Sequence, residues 1–233
     1  MNDADLFHAE GLLHQRIPEP ELMDSTEQVT AYAEADFNES DSRFAEAVYT
    51  AFSLPWTGIV ADLGCGPGNI CIRLATQAKD IQVVGLDAGK NMLLTAAKIA
   101  GNRFPNLSFY HAHLPDFPAE FKSACAMIVS NSLLHHLADP MALWNALNAM
   151  GTPGAAFFVG DLHRPESFQE ARNLRDLYAA DAPPVLQADF YRSLLAAYTI
   201  PEIEAQLKRA GINSYHIFRP TDRHVYLYGR LPL

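Results

Sequence analysis

The run ADLGCGPGN constrains this chain more than any other stretch. It follows a short apolar run, GIVADLG at residues 58–64, and opens the helical pattern NICIRLATQAK. Gly64, Gly66 and Gly68 supply a tight turn between strand and helix. Such a turn lets a ligand approach the free N–H groups of a helix N-terminus. Asp62 stands just before the glycines, and Asp87 ends the next strand-like run, IQVVGLD. An open doubly wound sheet places there the carboxylate that grips a ribose. Accepting from both ribose hydroxyls gives charge-assisted hydrogen bonds. A turn that needs glycines for structure alone is the competing reading. The dinucleotide fingerprint is Gly-x-Gly-x-x-Gly, whereas this loop reads Gly-x-Gly-x-Gly with Pro67 inside. A carboxylate pointing into that space would repel a pyrophosphate and suits a ligand carrying an ammonium.

Strands and helices alternate from there. KNMLLTAAKIA is helical with Gly101 as its stop, LSFYHA and CAMIVSN read as the third and fourth strands, and GAAFFVGD as the fifth. DPMALWNALNAM is expected to be a helix with Asp139 as N-cap, Pro140 at its first position and Gly151 past its end. The pattern predicts a parallel sheet covered on both faces. TIPEIEAQLKRAG carries a capping box at Thr199 and Glu202. SYHIF and HVYLYGR then flank RPTD, a hairpin signal that makes one strand antiparallel. The expected fold class is α/β: a doubly wound, Rossmann-like, seven-stranded sheet, mostly parallel, with one antiparallel strand near the C-terminus and a helical lid.

The 233 residues suit a single domain. Residues 4–54 read as helices broken around RIPEPELMDS, with Ser25 or Thr26 capping the next helix. Residues 162–198 read as inserted helices separated by Pro183-Pro184. Insertions after a strand's carboxyl end lie over the ligand crevice, so 1–54 and 162–198 together are expected to form the lid. A helical pair packed elsewhere for stability is the alternative.

A formal net charge of -10 with scattered Lys and Arg argues against nucleic acid as the partner. Cys65, Cys71 and Cys125 form no CxxC pair and are odd in number, which fits reduced thiols rather than a disulfide framework. The acidic N-terminus is not a signal peptide, and no apolar run is long enough for a membrane helix. A cytoplasmic location without membrane attachment is the expectation.

At DLGCGPG, GLDAGKNML and LLHHLADP the chain resembles the class I S-adenosylmethionine-dependent methyltransferases. The resemblance covers residues 58–160 and extends to a final strand pair. It implies that S-adenosyl-L-methionine is the cofactor and S-adenosyl-L-homocysteine the product. The loop Gly64–Gly68, with Cys65, would pass under the methionine part, and Asp62 would bind near its amino group. Asp87, followed by Ala88, would hold the ribose, and Met92 would pack on the adenine, with core packing as its other reading. After strand three the chain departs from the family's Asp-Ala step. His111-Ala112 is the nearest match, and His113 or a backbone N–H would meet the adenine amine.

The adjacent His135 and His136 admit metal ligation, proton transfer or packing. In an extended segment neighbours point opposite ways, so one metal would rarely meet both, and no metal is expected. The resemblance implies that His136 is architectural and that His135 faces the methyl acceptor. Asn131 and His135 are the catalytic candidates, Asn131 also lying near the cofactor. Tyr32, His163, Arg164, Tyr191 and Tyr198 join His135 as candidates for the acceptor pocket, with Asp161, Phe37 and Phe190 nearby. Packing is the other reading for each aromatic, and a salt bridge for Arg164. His8, His14, His216 and His224 read as surface or packing residues.

The expected function is methyl transfer from S-adenosylmethionine to a small molecule by in-line displacement. The alternatives are a macromolecule methyltransferase acting on protein or RNA, another adenosyl-cofactor transferase, and a non-catalytic cofactor-binding regulator.

Overall fold

The computed structural model describes residues 6–19, 22–53 and 56–233. The helical reading of residues 4, 5, 20, 21 and 54 lies outside them. Two helices come first, α1 (Thr26–Glu34) and α2 (Asn38–Ala51). Ser25 caps α1, its side chain accepting from the Gln28 amide at 3.2 Å. Alternating units follow: β1 (Gly58–Leu63), α3 (Asn69–Gln77), β2 (Ile81–Asp87), α4 (Lys90–Ala100), β3 (Leu107–His111), β4 (Cys125–Asn131), α5 (Met141–Met150) and β5 (Gly151–Leu162). The chain ends with α6 (Phe168–Tyr178), α7 (Pro184–Ala196), α8 (Ile200–Arg209), β6 (Tyr215–Phe218) and β7 (His224–Arg230).

The sheet has seven strands in the order β3-β2-β1-β4-β5-β7-β6. β1 to β5 pair in parallel, and β7 runs antiparallel to both β5 and β6. The order reverses between β1 and β4, and that is the switch point where open α/β sheets bind ligands. Alternate strand residues face opposite layers. Val60, Val83, Val129 and Phe158 pack with Phe44 and Val48 of α2 and Leu74 of α3. Ala61, Val84, Ile128 and Phe157 pack with Trp144 of α5 and Leu207 of α8.

One expectation shifts by a single residue. Helix α5 starts at Met141 rather than Pro140, although the Asp139 carboxylate still accepts from the Met141 amide at 3.0 Å. Gly151 follows the helix end as expected and begins β5. The capping box at Thr199 and Glu202 is formed.

Residues of α6 and α7 build a third apolar cluster, with Phe168, Leu174, Tyr191 and Leu194 packed on Leu6, Leu13 and Leu162. The N-terminal segment is tied across it. The Leu13 amide donates to the Glu166 carbonyl at 2.8 Å and the Ile17 amide to the Leu195 carbonyl at 2.9 Å. Further along, Asp24 reaches the start of α4, accepting from the Asn91 amide at 2.9 Å and the Met92 amide at 3.2 Å. A remote acid thus caps a helix whose own N-cap, Gly89, has no side chain to do so. Among the described residues no helix is long and apolar enough to cross a membrane.

Candidate active site

The chain leaves β1 through three glycines at positive φ: Gly64 at 70°, Gly66 at 51° and Gly68 at 85°. A Cβ on Gly64 would stand 2.8 Å from Leu133, and one on Gly68 would stand 2.9 Å from Phe109. One on Gly66 would meet nothing within 4 Å. Gly66 therefore faces open space where a ligand's backbone contact belongs, and Gly68 serves the turn and the packing behind it. The amides of Gly64 and Cys65 both donate to the Leu86 carbonyl, at 2.8 and 3.1 Å, locking the loop to β2.

Asp87 closes the ring. Its Oδ2 accepts from the Gly66 amide at 2.8 Å and its Oδ1 from the Gly89 amide at 2.7 Å. Burial raises its pKa, against the pull of these two amides. Each oxygen keeps lone-pair capacity for a further donor. Asp62 is 1% exposed. Burial pushes its pKa up to about 7; the Cys71 thiol, donating at 3.2 Å, lowers it, while Asp87 and Asp41 raise it further. Burial and acidic neighbours disfavour the carboxylate form of such a group, and a cationic ligand group would favour it.

These groups line a cavity of about 150 Å³ with Gly64, Cys65, Gly66, Ala88, Met92, Ala112, His113 and Asn131. Of the expected cofactor-side residues, only Gly68 is absent from the wall. His111 is turned away, its Nε2 lying 3.1 Å from the Ala88 carbonyl. Ammonium, ribose and adenine ends all find matching groups, so the residues present fit S-adenosylmethionine.

The paired histidines differ from expectation. Leu134–His136 forms a 3₁₀ turn rather than an extended stretch. The two imidazoles therefore lie together, with ring centroids 4.2 Å apart and planes tilted by 37°. His135 is 2% exposed, and its Nδ1 lies 2.5 Å from Asp161 Oδ1. Asp161 also accepts from the amides of Leu134 and Leu162, each at 2.6 Å. Burial works against charge on His135, but Asp161 and Glu19 outweigh it and its pKa is raised. Burial raises Asp161 as well, and His135 with the surrounding donors brings it below the usual value. His136 is pushed down to about 3, first by burial and then by His135, and is neutral.

His136 lines the cofactor-side cavity and also a second cavity of about 980 Å³, while His135 lines only the second. Both histidines thus line the cavity expected to hold the acceptor, His136 at the junction with the cofactor side and His135 held from behind by a buried carboxylate. Tyr32, Phe37, Phe190 and Asn131 line the larger cavity. Four expected pocket residues line neither cavity. The Tyr191 hydroxyl is buried and donates to the Leu6 carbonyl at 3.0 Å. Tyr198 lies under Arg16, whose guanidinium carbon is 4.3 Å from the ring centroid. Arg164 is buried and pairs with Glu202 at 2.8 Å, tying α8 to the end of β5. His163 is held in an isolated bridge to Tyr198. A hydrogen bond, a ring contact, an ion pair and a backbone bridge hold these four outside the cavities. His224 does line the larger cavity, its ring 2.8 Å from the Thr221 hydroxyl.

Three contributors escaped the sequence. Glu19 places its carboxylate 3.2 Å from His136 Nδ1 and 3.6 Å from His135 Nε2. Arg16 donates to the carbonyls of Ala196 at 2.7 Å and His135 at 2.6 Å, and to the Tyr198 hydroxyl. Asp41 lies in the walls of both cavities, held by Asn69 at 3.0 Å. The only signal for the first two was RIPEPE itself, where prolines flank a charged residue with no helical spacing.

Comparison with known proteins agrees with this geometry. Trans-aconitate 2-methyltransferase of Variovorax paradoxus is 29% identical over 163 residues, which cover 68% of this chain and 60% of that enzyme. The chain thus matches less than two thirds of that relative's length. A putative S-adenosyl-L-methionine-dependent methyltransferase of Methanococcus maripaludis superposes with a TM-score of 0.70 at 18% identity, covering 93% of this chain and 98% of that one. Phosphoethanolamine N-methyltransferase 2 of Haemonchus contortus, solved with S-adenosyl-L-methionine, gives 0.66 at 14% identity over 89% of this chain and 57% of that one. These two likenesses speak to the fold. The family model described as a methyltransferase domain matches residues 58–198, a span that holds the glycine turn, both acids and the paired histidines. With more than half its length so matched, the chain belongs to the methyltransferase domain family.

Proposed function

We propose that this chain transfers the methyl group of S-adenosylmethionine to a small-molecule acceptor held in the larger cavity. The observation that carries the reading is a shared wall. Met23, Tyr32, Asp41, Asn131, Ser132 and His136 line both cavities. A sulfonium seated with its ammonium at Asp62 and its ribose at Asp87 then faces the acceptor across this wall. Methyl transfer is an in-line displacement in which the protein supplies aim, worth up to ~7–11 kcal/mol in favourable cases. Neutral His136 leaves the sulfonium side without a competing positive charge. Asn131 and Tyr32 orient the acceptor, and His135 acts from behind through its bond to Asp161. Helices α1, α6 and α7 form the lid.

The acceptor is neutral or cationic. Glu34, Asp36, Asp181 and Asp189 line the larger cavity, and its Arg43 and Arg223 are already paired with Glu39 and Asp222. A polycarboxylate such as the trans-aconitate in a relative's name would meet like charge there. Macromolecular acceptors fit less well: among the described residues lining the cavity, Arg43 and Arg223 are the only lysines or arginines, and both are paired with acids.

The test is a panel of amines, phenols, thiols, carboxylates and halides, read by release of S-adenosylhomocysteine. Amines or phenols should turn over and tricarboxylates should not. Cofactor binding with no release from any class would sink the small-molecule reading.

A further inference from the structure

We propose that Glu19, His135 and His136 form a binding site for one divalent transition-metal ion, zinc being the expected occupant, at the inner end of the larger cavity.

The three side chains come from distant parts of the chain and converge. One ligand atom from each lies within 4.8 Å of the other two. Glu19 Oε1 is 3.2 Å from His136 Nδ1 and 3.6 Å from His135 Nε2. Ligands about 2.0–2.1 Å from a tetrahedral zinc are about 3.3 Å from one another. The two measured separations bracket that value, and the third lies within 4.8 Å.

The protonation pattern suits a cation. Asp161 accepts from His135 Nδ1 at 2.5 Å, which keeps that proton in place and makes Nε2, on the Glu19 side, the nitrogen at which a metal ion replaces a proton. A carboxylate bound to the far nitrogen is the usual support of a metal-ligating histidine. His136 Nδ1 is buried and makes no hydrogen bond among the described residues, although a carboxylate oxygen lies 3.2 Å away. An imidazole nitrogen facing a carboxylate off hydrogen-bond geometry leaves a buried acceptor unmet. A metal ion between them satisfies both.

The chemistry of the donor set narrows the ion. Two imidazoles and one carboxylate suit zinc and its neighbours rather than calcium or magnesium. The side chains are 3%, 14% and 6% exposed for His135, His136 and Glu19. Three protein ligands leave a position open, as in catalytic rather than structural zinc sites. Both histidines line the larger cavity, so an occupant there is the group within reach of that position. There it would take an oxygen or nitrogen of the acceptor; this last step rests on the methyl-transfer reading, whereas the site itself does not.

The experiment uses the full chain, stripped with chelator and titrated with Co²⁺ as a spectroscopic stand-in for zinc. A single equivalent should produce ligand-field bands of nitrogen–oxygen coordination. Glu19→Ala and His136→Ala should each weaken binding at least about tenfold, and Asp161→Asn by about 10–100-fold. Absence of bands, or an affinity unchanged in Glu19→Ala and His136→Ala, overturns the site. Where a variant fails to fold, the unaltered chain gives a second reading. Zn²⁺ should protect His136 from diethyl pyrocarbonate, and equal modification with and without Zn²⁺ overturns the site. None of these readouts involves turnover, so they stand apart from a titration with S-adenosylhomocysteine, which tests cofactor binding alone.

Discussion

His135 and Asp161 meet Nδ1 to Oδ1 at 2.5 Å, with both side chains 3% exposed. Asp161 also accepts from the Leu134 and Leu162 amides, so one carboxylate fixes the end of β5 and the turn after β4 together. Removing it strands two buried donors and an imidazole. Asp161→Ala should cost about 3–5 kcal/mol of stability, measured by urea unfolding. Asp161→Asn, which keeps an acceptor oxygen, should cost less. Equal stability of Asp161→Ala and the parent would show that the contact is not structural.

Under the proposed reading, Asp87 accepts from both ribose hydroxyls. Charge-assisted bonds contribute about 1.5–3 kcal/mol each, so Asp87→Ala should weaken S-adenosylhomocysteine binding by about two orders of magnitude or more. Calorimetric titration reads this directly, and an unchanged affinity removes the ribose assignment.

Asp62 carries a pH signature. In the empty protein its pKa is about 7. A ligand ammonium selects the carboxylate, so binding releases a proton wherever Asp62 is protonated beforehand. Affinity should hold above about pH 7 and fall by up to about tenfold per unit below it. Asp62→Asn should flatten the profile at low affinity. The empty fold follows the opposite rule. The unfolded carboxyl titrates at the ordinary value of 3.8 and the folded one at about 7, so the fold binds the extra proton between them. That stabilisation is complete below the lower value and is lost as pH rises through the upper one. Asp62→Asn should therefore raise the melting temperature at about pH 8. A parallel shift of parent and variant at every pH would contradict the assignment.

Two glycines of one loop should fail differently. Gly68→Ala sets a Cβ against Phe109 and Ala96 at a φ of 85° and should destabilise the fold. Gly66→Ala meets open space and bears only the backbone cost of about 1–2 kcal/mol. It should fold, and lose cofactor affinity by more than about tenfold. Melting curves and cofactor titrations on the pair separate the two roles; identical behaviour would mean that both glycines are structural.

The sheet and the cofactor-side acids were legible because their signals are local. Strand β2 falls on IQVVGLD and β4 on CAMIVSN without adjustment, since apolar runs bounded by turn residues set their own limits. The histidine pair was misread because its geometry depends on Ser132 at a φ of 58° and on a 3₁₀ turn, neither of which has a strong composition mark. Tyr191, Tyr198, His163 and Arg164 were placed by position after strand five. Their burial depends on how α6 and α7 fold back, which is tertiary. Glu19 and Arg16 lie more than a hundred residues from the groups they meet, beyond the reach of periodicity.

The N-terminal segment touches both cavities. The Leu13 amide bonds to Glu166 just before α6, the Ile17 amide to Leu195 of α7, and Asp24 to the start of α4. Leu22 and Met23 line the smaller cavity, and Met23 lines the larger one too. One side chain is therefore common to both chambers. Under the methyl-transfer reading, Met23→Ala should alter the affinity for cofactor and acceptor together.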